Sequence, residues 1–227
     1  MDPIDFDEVK ALRKAFSIVK ERQQKNIPDD LDEKIARLKI VRHASVGNED
    51  LLKRAVTNLK KNGIRVFPVA TKDDALEVIV REIGAETLVV KSKSNVTKEI
   101  GLAAGLGSKG VTVIETDIGD RILQLLKGTP SHPTGPIAHL SAKTISEGLT
   151  TVCGKRVGSK PAEIVEIVRE EIRGYLDRAA IGITGANAIT AEEGAIVTAH
   201  NEGNIFSKSY GGRSISSLRL SIRSIRR

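Results

Sequence analysis

LVVKSKSNVTKEIGLAAGL, the stretch from Leu88 to Leu106, contains a strand pattern and a helix pattern joined by a polar loop. The apolar run Leu88–Val90 is typical of a buried parallel strand, and the apolar spacing in 96–106 predicts a helix. The loop between them, Lys91–Asn95, contains two lysines, two serines and an asparagine. A strand that leads through such a loop into a helix places hydrogen-bond donors at the carboxyl edge of a sheet, where open α/β folds bind anionic ligands.

Two groups of polar residues are predicted to meet at this edge. The predicted anion contacts are Lys91, Ser92, Lys93 and Ser94. Asp117 follows the next predicted strand, so its carboxylate is expected to emerge at the same edge and to help orient a polar substrate. A simpler interpretation stays open, in which the serines cap the helix, the lysines are solvated and the acid suits a helix start.

Strand and helix patterns alternate through the body of the chain, and this alternation predicts an α/β fold with a mostly parallel sheet flanked by helices. The predicted strands are 64–69, 87–90, 111–116, 181–184 and 195–199, and the predicted helices are 72–83, 96–106, 117–127, 142–149 and 161–179. Three helical patterns precede them, at about 1–26, 29–44 and 48–62. We therefore expect an N-terminal helical arm at 1–47, an α/β domain at 48–204 and a basic Ser/Arg-rich tail at 205–227.

The glycine-rich turn after Ile181–Thr184 supplies two further candidates. Asn187 is predicted to position a polar ligand, and Glu192 is a candidate general base. A tight turn that merely joins two strands is the alternative. The segment Gly105–Gly110 fits the pattern GxGxxG, but it ends a helix and precedes a strand, which excludes a dinucleotide fingerprint there.

Composition restricts the cofactors and the compartment. Aromatic residues are 3% of the 227 residues and Trp is absent, so the core must be built from Ile, Val, Leu and Ala. One cysteine, Cys153, cannot hold an iron–sulfur cluster or form an internal disulfide. His132 and His139 have no third ligand nearby in sequence, so we predict no metal site. With no apolar run of 18 residues and no signal-peptide pattern, we expect a soluble cytoplasmic protein without a membrane span.

The formal charge of +7 is concentrated at the end of the sequence. Residues 205–227 contain six basic residues and no acidic one, which leaves +1 for residues 1–204. We therefore do not expect nucleic acid as a partner, except through this tail. Ile215, Leu218, Ile222 and Ile225 share one helical face opposite arginines, so a native tail could also bind anionic lipid.

Several short motifs occur in order between about Leu51 and Asn204. They are Lys91–Ser94 with Glu99 and Ile100, Glu115–Asp120, Pro130–Pro133 with His139, Gly182–Asn187, and Ala191–Gly194 with Asn201–Asn204. In this order and spacing they resemble the LUD (lactate-utilisation) domain family, particularly its lactate-utilisation protein B branch. The resemblance implies a fold like that of sugar-phosphate isomerases and CoA transferases. It also implies a small anionic substrate and a part in oxidising L-lactate, or a related 2-hydroxy acid, to pyruvate.

The chain departs from the family's pattern in two places. The family's B proteins usually carry two iron–sulfur clusters in a C-terminal extension and work with partner subunits, so here the clusters are expected only on partner subunits. After Asn204 the composition shifts abruptly, and we hypothesise a changed reading frame or a truncated domain that lacks a sheet strand, with a native amphipathic tail as the alternative. Two other functions stay open: a stand-alone enzyme acting on a sugar phosphate or CoA ester, and a non-catalytic scaffold with an anion-binding tail.

Overall fold

The computed structural model describes residues 6–132 and 135–199, and the backbone of a strand at 213–217. Its helices are α1 (Phe6–Lys25), α2 (Leu31–Ser45), α3 (Glu49–Lys61), α4 (Lys72–Ile83), α5 (Asn95–Glu99), α6 (Leu102–Gly107), α7 (Ile118–Leu126), α8 (Ala142–Cys153) and α9 (Pro161–Arg178). Its strands are β1 (Leu88–Lys91), β2 (Thr112–Glu115), β3 (Ile181–Gly185), β4 (Ala188–Thr190), β5 (Ala195–Val197) and β6 (Arg213–Ser217).

A parallel sheet with the order β2-β1-β3-β6 forms the centre of the domain. Successive side chains of a strand point to opposite faces, so each face needs its own cover. Val89 packs with apolar residues of α4 and α6, whereas Val90 packs with the C-terminal half of α9. Helices therefore cover both faces of the sheet, and the predicted α/β class with a parallel sheet is confirmed.

A second apolar cluster joins α7, α8 and α9 and fixes the position of α7. Its most deeply buried residues include Ile122 of α7, Leu149 of α8 and Val168 of α9. Arg121 of α7 adds an ion pair with Glu171 of α9. Because α7 follows β2 directly, this packing holds the first turn of α7 at the carboxyl edge of the sheet.

Four local predictions are wrong or incomplete. The segment 64–69 alternates like a strand, but it forms no strand and has no strand partner among the described residues, and Phe67 and Val69 are exposed. The helix predicted at 96–106 is two helices, because Gly101 adopts the left-handed conformation (φ 67°) between α5 and α6. β4 was not predicted, and the helix predicted at 142–149 extends to Cys153, the last residue of α8.

The N-terminal helical region precedes the sheet as predicted. No residue of α1 or α2 is buried, and Phe6, Ile40 and Val41 are each more than 60% exposed. By contrast, α3 buries Ala55 and Leu59. Within the described ranges, no helix combines the length and apolar character that a membrane crossing requires.

The backbone of β6 pairs in parallel register with β3, from Ile181 opposite Arg213 to Gly185 opposite Ser217. β3 therefore has a strand neighbour on each side, and the hypothesis of a changed reading frame or a truncated domain stays a prediction. The amphipathic face predicted for the tail lies outside the residues whose side chains the structure describes. So do Pro133 and the motif Asn201–Asn204.

Candidate functional site

The register of β1 and β2 creates a buried ion pair at the carboxyl edge of the sheet. Lys91 lies directly opposite Glu115, and parallel neighbours in register point to the same face. Lys91 Nζ donates to Glu115 Oε2 at 2.8 Å and to the carbonyl oxygen of Ser92 at 3.2 Å. Lys91 is 2% exposed and Glu115 is 9% exposed. The predicted anion contact Lys91 is thus already bound to a carboxylate.

Burial raises the pKa of the Glu115 carboxyl above its ordinary value. The ammonium group of Lys91 opposes this effect by charge attraction and by its hydrogen bond. The carboxylate of Asp120 adds to the rise, whereas the ammonium group of Lys98 lowers the pKa slightly. Glu115 therefore interacts electrostatically with Lys91, Lys98 and Asp120, and these four groups form one charged cluster.

A second ion pair in this cluster links α5 to α7. Lys98 Nζ donates to Asp120 Oδ1 at 2.8 Å. The Lys98 side chain is 35% exposed, whereas that of Asp120 is 5% exposed. Asp120 Oδ2 is shielded from solvent and has no hydrogen-bond partner among the residues that the structure describes. An unsatisfied carboxylate oxygen is unusual in a protein interior and requires an explanation.

A third contact brings together two residues that the sequence placed at this edge. Lys93 Nζ lies 3.8 Å from Asp117 Oδ2, with both side chains partly shielded from solvent. Asp117 also caps α7, because its Oδ1 accepts from the backbone N–H of Asp120 at 3.1 Å. The expectation that the loop after β1 and the segment after β2 meet at the same edge is confirmed by this contact.

The two serines of the loop after β1 hold the edge together. Ser92 Oγ donates to Thr184 Oγ1 at 2.7 Å, which links the loop to β3. Ser94 caps α5, since its Oγ accepts from the backbone N–H of Thr97 at 3.3 Å. Both serines are buried. Their hydroxyl groups therefore have structural partners, and contact with an anion stays a prediction for both.

Asn187 follows β3 and organises the hairpin formed by β4 and β5. Its Oδ1 accepts from the backbone N–H of Ala199 at 2.7 Å, and its own N–H donates to the carbonyl of Val197 at 2.8 Å. Asn187 therefore lies at the carboxyl end of β3 with a structural hydrogen bond. Its role as a ligand positioner stays a prediction.

Glu192 lies in the turn of the same hairpin and contacts α3. Its carboxylate pairs with Arg54, and its side chain is 66% exposed. Asn58 of α3 donates to the carbonyl of Ala191 at 2.8 Å and to that of Glu192 at 3.0 Å. No described contact joins Glu192 to the charged cluster, and its role as a general base stays a prediction.

Three members of the charged cluster, Lys98, Glu115 and Asp120, were not among the predicted site residues. Glu115 ends β2 and Asp120 lies in the first turn of α7, and from this acidic segment sequence reasoning selected Asp117 alone. The signal for Glu115 was its position at the end of a strand in register with Lys91. Lys98 lies one helical turn after Ser94, on the short helix that the loop opens.

The described residues contain no group of three or more His, Cys, Asp or Glu side chains that could hold a metal ion. His139 Nδ1 is buried and has no hydrogen-bond partner in the described ranges, and the ring of His132 contacts that of Phe16. An iron–sulfur cluster does not fit this chain, because such a cluster takes several cysteine thiolates and Cys153 is the single cysteine.

Comparisons with known proteins identify the family. The LUD domain profile matches residues 52–213, which is more than half of the chain. Lactate utilization protein B from an Exiguobacterium species is 39% identical over 163 residues, covering 71% of this chain and 33% of that protein. Lactate utilization protein B from Lysinibacillus sphaericus is 40% identical over 151 residues, covering 65% of this chain and 32% of that protein.

A relative from Escherichia coli strain K12, named uncharacterized electron transport protein YkgF, is 39% identical over 146 residues, covering 63% of this chain and 31% of that protein. No solved structure matches the chain significantly. The chain spans about a third of the length of the curated relatives it matches. On the profile match and these identities, the chain belongs to the LUD domain family.

Proposed function

We propose that this chain takes part in the oxidation of L-lactate, or of a related 2-hydroxy acid, to pyruvate as a non-redox subunit. The observation that carries the proposal is the similarity to proteins named lactate utilization protein B, at 39–40% identity over most of the LUD domain. In this proposal the chain binds the small anionic substrate, and partner subunits that carry iron–sulfur clusters accept the electrons.

The charged cluster and the neighbouring pair support binding of a small anion. Together they contain the ammonium groups of Lys91, Lys93 and Lys98 and an equal number of carboxylates. Of these lysines, Lys93 and Lys98 have side chains partly open to solvent, whereas that of Lys91 is enclosed. A carboxylate ligand can therefore reach Lys93 and Lys98, where charge-assisted hydrogen bonds are stronger than neutral ones.

The single cysteine supports the assignment of iron–sulfur electron transfer to other chains. The name of the Escherichia coli relative, an electron transport protein, is consistent with a role for this family in electron transfer systems. Oxidation of a 2-hydroxy acid releases two electrons, which in this proposal pass to a partner subunit.

Lactate-dependent dye reduction tests the proposal. The full chain is assayed alone and together with co-purified iron–sulfur subunits, and we expect stimulation by this chain in the combined assay. Lys98→Met should reduce the stimulation about tenfold or more, because a charge-assisted contact to the substrate is lost.

Lys53→Met is the matched control, because Lys53 makes exposed ion pairs on α3 far in sequence from the cluster. It should leave the stimulation unchanged. The proposal would be contradicted if this chain does not stimulate dye reduction either alone or together with the iron–sulfur subunits. Tight binding of phosphate or CoA without binding of lactate would favour a stand-alone enzyme instead.

A further inference from the structure

Asp120 occupies a helix position from which an aspartate side chain can cap the helix by accepting from the backbone N–H of the N-cap residue. It is the third residue of α7, with Asp117 as the N-cap. At the same position of α4, Asp74 completes a capping box, because Asp74 Oδ2 accepts from the backbone N–H of the N-cap Thr71 at 3.2 Å. Asp120 makes no such bond, and its Oδ1 accepts from Lys98 instead. Helix capping therefore does not explain the side chain of Asp120.

The remaining oxygen of Asp120 lacks a partner at a place where one is expected. Oδ2 is buried and has no hydrogen-bond partner among the described residues, whereas Oδ1 lies 2.8 Å from the Lys98 ammonium group. Leaving a buried acceptor unsatisfied is unfavourable, and more so for a charged group. A ligand with a hydrogen-bond donor would satisfy Oδ2.

We propose that Asp120 Oδ2 accepts a hydrogen bond from the 2-hydroxyl group of the substrate, while Lys98 and Lys93 bind its carboxylate. This inference rests on the proposed function and names the groups that distinguish a 2-hydroxy acid from a simple carboxylic acid. The hydroxyl and carboxyl groups of such an acid lie on adjacent carbons. Acceptor and ammonium are likewise adjacent here, since Lys98 and Asp120 are in direct contact.

The negative charge of Asp120 explains why the ligand needs a hydrogen-bond donor. A simple carboxylate near Lys98 also approaches the carboxylate of Asp120, and like charges repel. A hydroxyl group between them converts this repulsion into an O–H···O⁻ hydrogen bond, which is among the stronger kinds. The Lys98 side chain is 35% exposed, so a ligand can approach the Lys98–Asp120 pair from the solvent side.

Binding by the full chain is measured by isothermal titration calorimetry with L-lactate, propionate and 2-methoxypropionate. Propionate lacks the hydroxyl group, and 2-methoxypropionate has an oxygen that cannot donate. We expect the wild-type chain to bind L-lactate roughly tenfold or more tightly than either of the other two, as a hydrogen bond to a charged group predicts. In Asp120→Asn the preference over propionate should fall to less than about threefold, because the carboxylate acceptor is gone.

Asp74→Asn is the matched control, since it makes the same change at the same helix position away from the cluster and should keep the full preference. If Asp120→Asn does not fold, the wild-type ligand series decides the question alone. Lactate binding with no preference over propionate would overturn this inference and would indicate that water is the partner of Asp120 Oδ2. The proposed function would remain. An Asp120→Asn chain that keeps the preference would also overturn the inference. No binding of any of the three acids would overturn both proposals.

Discussion

The buried pair of Lys91 and Glu115 makes a quantitative prediction about stability and pH. In Lys91→Met the Glu115 carboxyl loses the ammonium group that lowers its pKa, so its pKa rises further above the ordinary value of 4.5. A carboxyl whose pKa is higher in the folded state contributes stability that is present at low pH and lost as the pH rises through the folded pKa.

The free energy of unfolding that Lys91→Met loses has an upper limit, because Glu115 can take up a proton rather than remain a buried anion without a partner. Keeping it protonated at pH 7 costs at most about 3.4 kcal/mol, at 1.36 kcal/mol for each pH unit above 4.5. At pH 5 the same ceiling is about 0.7 kcal/mol. We expect Lys91→Met to lower the free energy of unfolding by about 1–3.4 kcal/mol at pH 7 and by less than about 1 kcal/mol at pH 5.

Urea unfolding at pH 5, 6 and 7 measures this difference against the wild-type chain. Lys53→Met serves as the control, because its ion pairs are exposed and should contribute less than about 0.5 kcal/mol at every pH. A loss for Lys91→Met that does not change between pH 5 and pH 7 would refute the reasoning. So would a loss at pH 7 no larger than that of the control.

Three further substitutions test the hairpin of β4 and β5 and its contact with α3. Asn58→Ala should lower the free energy of unfolding by about 1–2 kcal/mol, because it removes two hydrogen bonds to the hairpin turn, and limited proteolysis should then cut the turn faster. Gly194→Ala should cost about 1–3 kcal/mol in urea unfolding, because φ is +61° and the new Cβ would clash with the backbone of Asn58. Gly107→Ala, with open space around it, should cost nothing, and equal losses for the two glycines would contradict this explanation. Glu192→Gln should change the free energy of unfolding by less than about 0.5 kcal/mol, because the pair with Arg54 is exposed; a general base would in addition lose about 100-fold in lactate-dependent dye reduction.

Much of the fold could be predicted because local patterns and tertiary packing agree. The helix predicted at 72–83 is observed with both ends in place, since Thr71 and Asp74 form a capping box and Ile79 and Ile83 fill one apolar face. The apolar alternation at 64–69 indicates a strand as clearly as the spacing at 72–83 indicates a helix. It fails because a strand also needs a neighbour with which to form hydrogen bonds, and strand preference depends on that context.

The candidate site could be located from the sequence but its pairs could not be assigned. Parallel strands bring their following loops to one edge, so the meeting of Lys93 and Asp117 was predictable. The contact of Lys98 with Asp120 depends on how α5 and α7 pack, and the spacing of apolar residues in the sequence does not indicate that packing. Lys91 was predicted as an anion contact in the polar loop after the strand, but β1 includes it, and Glu115 lies opposite and compensates its charge.

The alignment of Lys91 with Glu115 has a consequence for how the chain selects its strand pairing. If β1 and β2 slipped by one residue, the side chains of one strand would exchange faces. The ammonium and carboxylate groups would then be separated by the sheet, each among aliphatic neighbours, which is far less favourable than an incorrect apolar match. Two opposite charges at the carboxyl ends of these strands thus favour the observed register over a one-residue slip, whether or not a substrate is ever bound.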